Sequence, residues 1–314
     1  MKKSLLLSTA TLLGLTFSAF AKEPVKLLLL DWGSQKVLTK ALGNLLTQQN
    51  IPIEYVYSDE NSQWYKLAHG KADVQVEVWE GSMATKFQEL IDSGYILDGG
   101  THIATTREEW WYPDYVEKRC PGLPNWAALK ECYTIFSEGK ERGIYYTGPW
   151  EKPDEARIRA LELQFDVVKL KNGDEINKKI RKYIADKKPL LIFNWTPNWV
   201  EAQYQGKFVA FPEYAKECES KAYWGINPKF MWDCGNPIDG WLKIAISTSL
   251  LDKSPCAVDI IHSFSLDNEQ VAQAAILIDE KNMSIDKASN VWMEQNKEYV
   301  KKWLSHSSCN KEIL

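Results

Sequence analysis

The chain has 314 residues and a formal net charge of −4, an acidic balance that argues against nucleic acid and anionic membrane as partners. No linker rich in Gly, Ser or Pro separates independent units, although the length exceeds one average domain, so two lobes sharing a cleft are expected. Beyond the amino terminus no run of about 18 apolar residues offers a membrane span.

Met1-Lys2-Lys3, the apolar stretch Leu5 to Phe20 and the A-x-A sequence Ala19-Phe20-Ala21 read as a secretory signal peptide over 1–21. The mature chain is therefore expected in the periplasm, without a cysteine at the cleavage point to carry a lipid anchor. From Val25 a strand-like run reaches Asp31, and Val37, Leu38, Ala41, Leu42, Leu45 and Leu46 repeat at one-face helical spacing before the strand-like Ile53 to Val56. A helix through Trp64, Leu67 and Ala68, a strand over Asp73 to Val78 and a helix over Met83 to Ser93 stopped by Gly94 complete a β-α-β rhythm.

After a Pro-rich, aromatic stretch from Trp110 to Pro124 the rhythm restarts. Ile144 to Tyr146 reads as a strand, Asp154 to Gln164 as a helix, Phe165 to Leu170 as a strand, Asp174 to Asp186 as a helix and Leu190 to Asn194 as a strand. Trp241 to Ile246 is a further apolar run, followed by helical patterns over Ala257 to Phe264, Asn268 to Ile278 and Ile285 to Leu304. The fold class is α/β, with two mainly parallel sheets. Lobe 1 is expected over 22–104 and 241–314 and lobe 2 over 105–240, hinged through Thr101 to Thr106 and Trp241 to Thr248.

Four tryptophans stand just past the ends of strand-like runs: Trp32, Trp79, Trp150 and Trp195. In open α/β sheets the ligand crevice lies outside the carboxyl ends of the strands, so four indoles there would form an aromatic box. Cages of indole faces hold quaternary ammonium groups, which offer no N–H to bond. Asn194-Trp195-Thr196-Pro197 is read as the end of a strand leading into a helix with Pro197 in its first turn. The helix start behind Trp150 is read as an attraction for a carboxylate.

Ser34 and Asp31 are possible polar contacts beside Trp32, Asp31 alternatively capping the helix. Glu77 and Glu80 flank Trp79; one could face the cleft as a counter-charge, but a solvated or salt-bridged role is the favoured reading. Trp111 and Tyr112 are second-tier wall candidates. Trp64, Trp126, Trp199, Trp224, Trp232, Trp241, Trp292 and Trp303 are assigned to packing, the usual role of a large ring.

Cys120, Cys132, Cys218, Cys234, Cys256 and Cys309 form an even set in a secreted chain, and sequential pairing is expected, each bridge stapling a local segment. His69, His102, His262 and His306 are scattered and no C-x-x-C occurs, so no metal or cofactor is expected. The chain lacks H-E-x-x-H, G-x-S-x-G, a P-loop and a dinucleotide fingerprint. Glu108-Glu109 are adjacent and do not face each other across a bond as a glycosidase pair must; the chain reads as a binder and not an enzyme.

The motifs Ala72-Asp73-Val74-Gln75-Val76-Glu77-Val78-Trp79, Pro121-Gly122-Leu123-Pro124-Asn125-Trp126-Ala127-Ala128-Leu129, Gly148-Pro149-Trp150 and Trp195-Thr196-Pro197-Asn198-Trp199-Val200 span nearly the whole mature chain. Through them it resembles the periplasmic substrate-binding proteins of ABC transporters for glycine betaine, choline and related quaternary amines. The resemblance implies the two-lobed type II binding-protein fold, a membrane permease as partner, a monomer, and Trp79, Trp150 and Trp195 as cage positions. It places Trp32 where choline-binding members add a further box tryptophan.

Two departures leave the ligand open. Glu151 and Lys152 follow Trp150 where betaine binders often place small residues, and Ser34 stands where choline binders tend to place Asp. Glycine betaine, choline, carnitine, trimethylamine N-oxide and sulfonium analogues such as dimethylsulfoniopropionate all fit the pattern. A sugar binder stacking rings on pyranose faces is the rival; it would need Asn, Asp and Arg beside the indoles.

Overall fold

A computed structural model describes residues 22–150 and 152–305. The expected signal peptide, Glu151, His306 and Cys309 lie outside the described residues. The first half runs β1 (Val25–Leu29), α1 (Gly33–Gln48), β2 (Ile53–Tyr57), α2 (Glu60–Ala68), β3 (Val74–Trp79), α3 (Glu80–Asp92) and the long β4 (Ile96–Pro113). There follow α4 (Ala128–Cys132), β5 (Gly143–Thr147), α5 (Asp154–Ala160), β6 (Phe165–Lys169), α6 (Gly173–Ala185), β7 (Ile192–Thr196), α7 (Val200–Gln203) and β8 (Gly206–Phe208). The chain closes with β9 (Gly240–Ser247), α8 (Leu250–Lys253), α9 (Pro255–Ser263), α10 (Asn268–Ala275), α11 (Ile285–Gln295) and α12 (Lys297–Ser305).

The strands order as β2-β1-β3-β9-β4-β7-β5-β6, with β8 also on β4. The outer triplets β2-β1-β3 and β7-β5-β6 are parallel, as strands joined by helical crossovers must be. The middle corrects the expectation of two mainly parallel sheets: β9 is antiparallel to β3 and β4, and β4 is antiparallel to β7 and β8. The cause is β4 itself. Its residues Ile96 to Thr106 pair with β9 and Arg107 to Trp111 pair with β7, so one strand carries the ladder from one half to the other. The aromatic Trp110 to Pro113, given no secondary structure from sequence, is the end of this strand.

Burial explains the local patterns. All six residues of β3 are buried, the signature of a strand covered on both faces. The apolar stripe of α1 is buried from Val37 to Leu46, and α9, α10 and α11 pack against it. Gly94 adopts φ +73 and its N–H bonds Ile91 O at 2.9 Å, the left-handed cap expected to stop α3. The segment Ile285 to Leu304, expected as one helix, breaks at Asn296, where the Asn296 amide bonds Trp292 O.

Cys120–Cys132 and Cys218–Cys234 are bridged as expected. Cys256 is disulfide-bonded; its expected partner, Cys309, is outside the described residues. Trp224 corrects its assignment to packing, being 49 % exposed on the loop that Cys218–Cys234 closes.

Candidate functional site

One wall of the site is built by β1 and β3, neighbours in the sheet. Trp32 directly precedes α1 and Trp79 is the last residue of β3, leading into α3. Between them lies Glu77, fully buried. Its Oε2 accepts from Trp32 Nε1 at 2.5 Å, Trp79 Nε1 at 3.1 Å and Ser34 Oγ at 3.1 Å. A single carboxylate oxygen thus ties both indoles and the start of α1 together. This corrects the favoured reading of Glu77 as solvated or salt-bridged: its bonded partners are three neutral donors. The strand period of two puts residues 77 and 79 on one face of β3, which is why they meet.

The opposite wall comes from β5 and β7. Trp195 lies inside β7 and not past its end, which corrects the expectation. Phe193, two residues earlier on the same face, stacks on it at 5.7 Å and 29°. Trp150 meets Trp195 edge-on at 5.4 Å and 84°, a favoured aromatic geometry. Gly148 allows this loop: a Cβ there would stand 2.3 Å from the Trp150 ring. Pro197 follows a cis peptide and α7 begins only at Val200, so Pro197 does not open a helix as expected.

Between the walls, Trp32, Trp79, Trp150 and Trp195 line one cleft together with Glu60, Ser82, Met83, Glu108 and Phe193. It holds about 290 Å³ of free space, part of it open to solvent. Sequence reasoning missed the last five. Phe193 was within reach, because the period of two that places Trp195 also places Phe193. Glu108 reaches the cleft from β4, where its Oε1 pairs with Lys152 Nζ at 2.7 Å. Its neighbour Glu109 points to the other face and binds Arg157 at 2.6 Å, the divergence that adjacent strand residues show.

The secondary candidates fall elsewhere. Ser34 is buried behind the wall on Glu77. Glu80 accepts the Trp241 backbone N–H at 2.9 Å and is not in the lining. Trp111 packs on β8, where a Cβ on Gly206 would meet its ring at 2.0 Å, and Tyr112 donates to Glu117; neither is a wall of the box. Asp31 does not cap α1, which has no side-chain cap bond. The amino end of α5 carries its own acids, Asp154 and Glu155, and Asp154 is engaged by Trp110 Nε1 at 2.8 Å, so it is not an open anion site.

The electrostatics suit a cation. Burial pushes the Glu77 carboxyl up to about 7 against the lowering effect of its three donors. Glu60 and Glu108 line the cleft, while the nearby Lys152 is neutralised by Glu108. Aromatic faces and carboxylates, with no unpaired cation in the lining among the described residues, can hold a methylated ammonium by its charge and its apolar methyls together. Among the described residues no cluster of three or more His, Cys, Asp or Glu could hold a metal ion, and no helix is long and apolar enough to cross a membrane.

Residues 23–295 match the family model described as the substrate-binding domain of ABC-type glycine betaine transport systems. The chain is 29 % identical over 306 residues to the trimethylamine N-oxide-binding protein of Pelagibacter ubique (strain HTCC1062), covering 94 % of this chain and 95 % of that one. Among solved structures it resembles lactococcal OpuAC in its closed-liganded conformation with glycine betaine, at TM-score 0.69 and 16 % identity over 90 % of this chain and 99 % of that one. It also resembles the glycine/betaine/L-proline-binding protein ProX of Borrelia burgdorferi, at TM-score 0.71 and 17 % identity over 90 % and 96 %. At such identities the structures speak to the fold alone.

Proposed function

The chain belongs to the family of substrate-binding domains of ABC-type glycine betaine transport systems; it is the solute-binding component of an importer and not an enzyme, and we propose that it captures a small methylated ammonium compound between Trp32, Trp79, Trp150 and Trp195. The observation that carries this reading is the convergence of these four indoles, from separate elements of both halves of the sheet, on one cleft.

Each desolvated cation–π wall contributes about 2 kcal/mol. Three or four walls would supply on the order of 6 to 8 kcal/mol before ordering costs, in the range of micromolar binding. Trimethylamine N-oxide, the ligand named for the Pelagibacter relative, stands with glycine betaine, choline, carnitine and dimethylsulfoniopropionate as the compounds to test. Among the described residues the lining contains no Asn, Asp or Arg, the side chains with which a sugar site would read hydroxyls.

The mechanism has two lobes, 22–104 with 241–314 and 105–240, flexing about the crossing strands β4 and β9. Contacts between them favour a closed form: Arg181 on α6 donates to the backbone carbonyl of Asp279 and lies 3.9 Å from Glu280. Closure completes the box, and the closed protein, a monomer delivered to the periplasm by a cleaved signal peptide over 1–21, docks on the membrane permease.

Calorimetry against trimethylamine N-oxide, glycine betaine, choline, carnitine and dimethylsulfoniopropionate, with glucose and maltose as controls, tests the reading. At least one methylated compound is expected to bind with micromolar affinity or better and to be recovered unchanged. Binding of a sugar and of none of these compounds overturns it.

A further inference from the structure

Glu77 lies outside the cleft lining, yet it holds the two indoles of one wall through a single oxygen. Its second oxygen, Oε1, meets no donor among the described residues. A buried carboxylate with neutral donors on one oxygen and nothing on the other retains uncompensated charge, which is costly in a dry interior. The compensating cation is therefore to be sought on the far side of the rings.

Resting on the reading of the cleft as a cage for a methylated cation, we infer that Glu77 is the positioning residue and remote counter-charge of that cage: it fixes Trp32 and Trp79 by their N–H groups and, ionised, makes the pair attract a positive guest. Two physical effects act together. A carboxylate accepting an indole N–H polarises the ring and makes its π face more negative, since hydrogen bonds in a low-dielectric site reinforce one another. The full negative charge behind the rings also attracts the guest through space, little screened because water is excluded. The residue touches no ligand and discriminates by charge.

The same arrangement makes capture sensitive to pH. Burial holds the Glu77 carboxyl at about 7, so near neutrality the empty site is partly protonated, and a permanent cation favours the ionised form. Affinity is therefore expected to rise with pH through that range, by about fivefold from pH 6 to pH 8. The titratable groups on the surrounding elements are Asp31 and Lys36 by α1, Glu60 on α2, Glu80 on α3, His102 and Glu108 on β4 and Lys243 on β9. None hydrogen-bonds Glu77 or appears among the causes of its shift. His102 is held down to about 4, below the window. Asp279, whose carboxyl lies against Gly33 and is also pushed up to about 7, titrates within it and serves as the internal control, because it is unchanged in the variant below.

The test is calorimetric titration of the mature protein and its Glu77→Gln variant with choline, glycine betaine and trimethylamine N-oxide at pH 6 and pH 8. The amide oxygen can still accept both indole N–H groups but carries no charge. Expected is a loss of tenfold or more at pH 8 for the compound the unmodified protein binds best, shrinking to about twofold at pH 6. A gap equal at both pH values, the mark of a purely structural role, overturns the inference, as does the absence of any gap. If the variant fails to fold, the unmodified protein alone decides: at pH 6.5, titration in two buffers of different ionisation enthalpy should show net proton release on binding, and none overturns the inference. Failure of the unmodified protein to bind any of the compounds overturns this inference and the cage together, whereas binding with an undiminished variant overturns this inference alone.

Discussion

Lys152 and Glu108 form an ion pair of 2.7 Å at the edge of the cleft, with side chains only 4 % and 6 % exposed. The pair joins the loop after Trp150 to the strand that runs through both halves of the sheet. Lys152 also stands 4.4 Å from the centroid of the Phe193 ring, so the protein's own cation occupies an aromatic face next to the proposed ligand site. Pairing with Glu108 holds it there.

Removing one member of this pair strands the other as a buried charge. Lys152→Met is expected to lower the free energy of unfolding by about 3 kcal/mol, measured by urea denaturation. Adding Glu108→Gln should restore most of that loss, because the double replacement leaves no unpaired ion; additive losses would show the pair to be uncoupled.

Tryptophans of the wall and of the core should fail in different ways. Trp195→Ala is expected to weaken ligand binding about 30-fold, the equivalent of one cation–π wall of about 2 kcal/mol, with a modest effect on stability. Trp303, buried against Phe264 and stacked on Trp292 at 6.2 Å, should behave oppositely. Trp303→Ala should cost about 3 to 5 kcal/mol of stability and leave the dissociation constant of the folded fraction within about twofold. Calorimetry and thermal denaturation on both variants separate the two.

Much of this division was legible in the residues. Trp32, Trp79, Trp150 and Trp195 each follow or end an apolar run, and the periodicity that identifies those runs also orients what comes after them. Less legible was whatever depended on pairing between distant segments. Trp110 to Pro113 carries strand-favouring aromatics but ends in a proline and opens a Pro-rich stretch, and its place in the sheet is set by pairing with β7 and β8. Glu77 was misjudged for a different reason: a charged residue is usually solvated or salt-bridged, and nothing nearby in sequence announces that indole N–H groups 45 and 2 residues away will satisfy it. The late helices were readable in face, since α9, α10 and α11 pack on α1, but not in number: α8 gave no separate signal, and the run from Ile285 to Leu304 divides at Asn296 into α11 and α12 without a change in periodicity.

His102 sits on β4 within the proposed hinge and is buried. Its Nε2 lies 2.8 Å from Val76 O and its Nδ1 accepts the Leu266 N–H at 3.2 Å, so the ring is neutral with its proton on Nε2. Burial holds its pKa down to about 4. An unfolded chain takes up this proton near pH 6.5, whereas the folded one refuses it until about pH 4. The contribution of His102 to stability is therefore complete above pH 6.5 and is lost as pH falls towards 4, by up to about 3 kcal/mol. Glu77 and Asp279, both raised to about 7, act in the opposite sense, stabilising the fold as pH falls from 7 to about 4.5. The His102→Gln variant keeps both carboxyls, so the difference between its stability–pH curve and that of the unmodified protein should rise between pH 6.5 and 4; parallel curves would contradict the assignment.

Arg181 reaches from α6 to the backbone carbonyl of Asp279 and to Glu280 beyond the end of α10, and its guanidinium stacks 4.2 Å from the centroid of the Trp199 ring. Trp199 is itself fixed by donating to Asn177 at 2.8 Å, so the arginine is presented from a rigid support. It bridges the two proposed lobes without touching the cleft, and it should therefore act on closure and not on recognition. The Arg181–Glu280 pair is about one-third exposed on both sides, which limits that contact to a surface-pair contribution of about 1 kcal/mol or less. Arg181→Gln is expected to weaken every ligand by a similar factor of about five, leaving the ranking among methylated compounds intact. Stopped-flow fluorescence should find the change mainly in faster dissociation, because a closed state lacking its bridge reopens sooner. A changed ranking would place Arg181 in recognition, and an unchanged off-rate would remove it from closure.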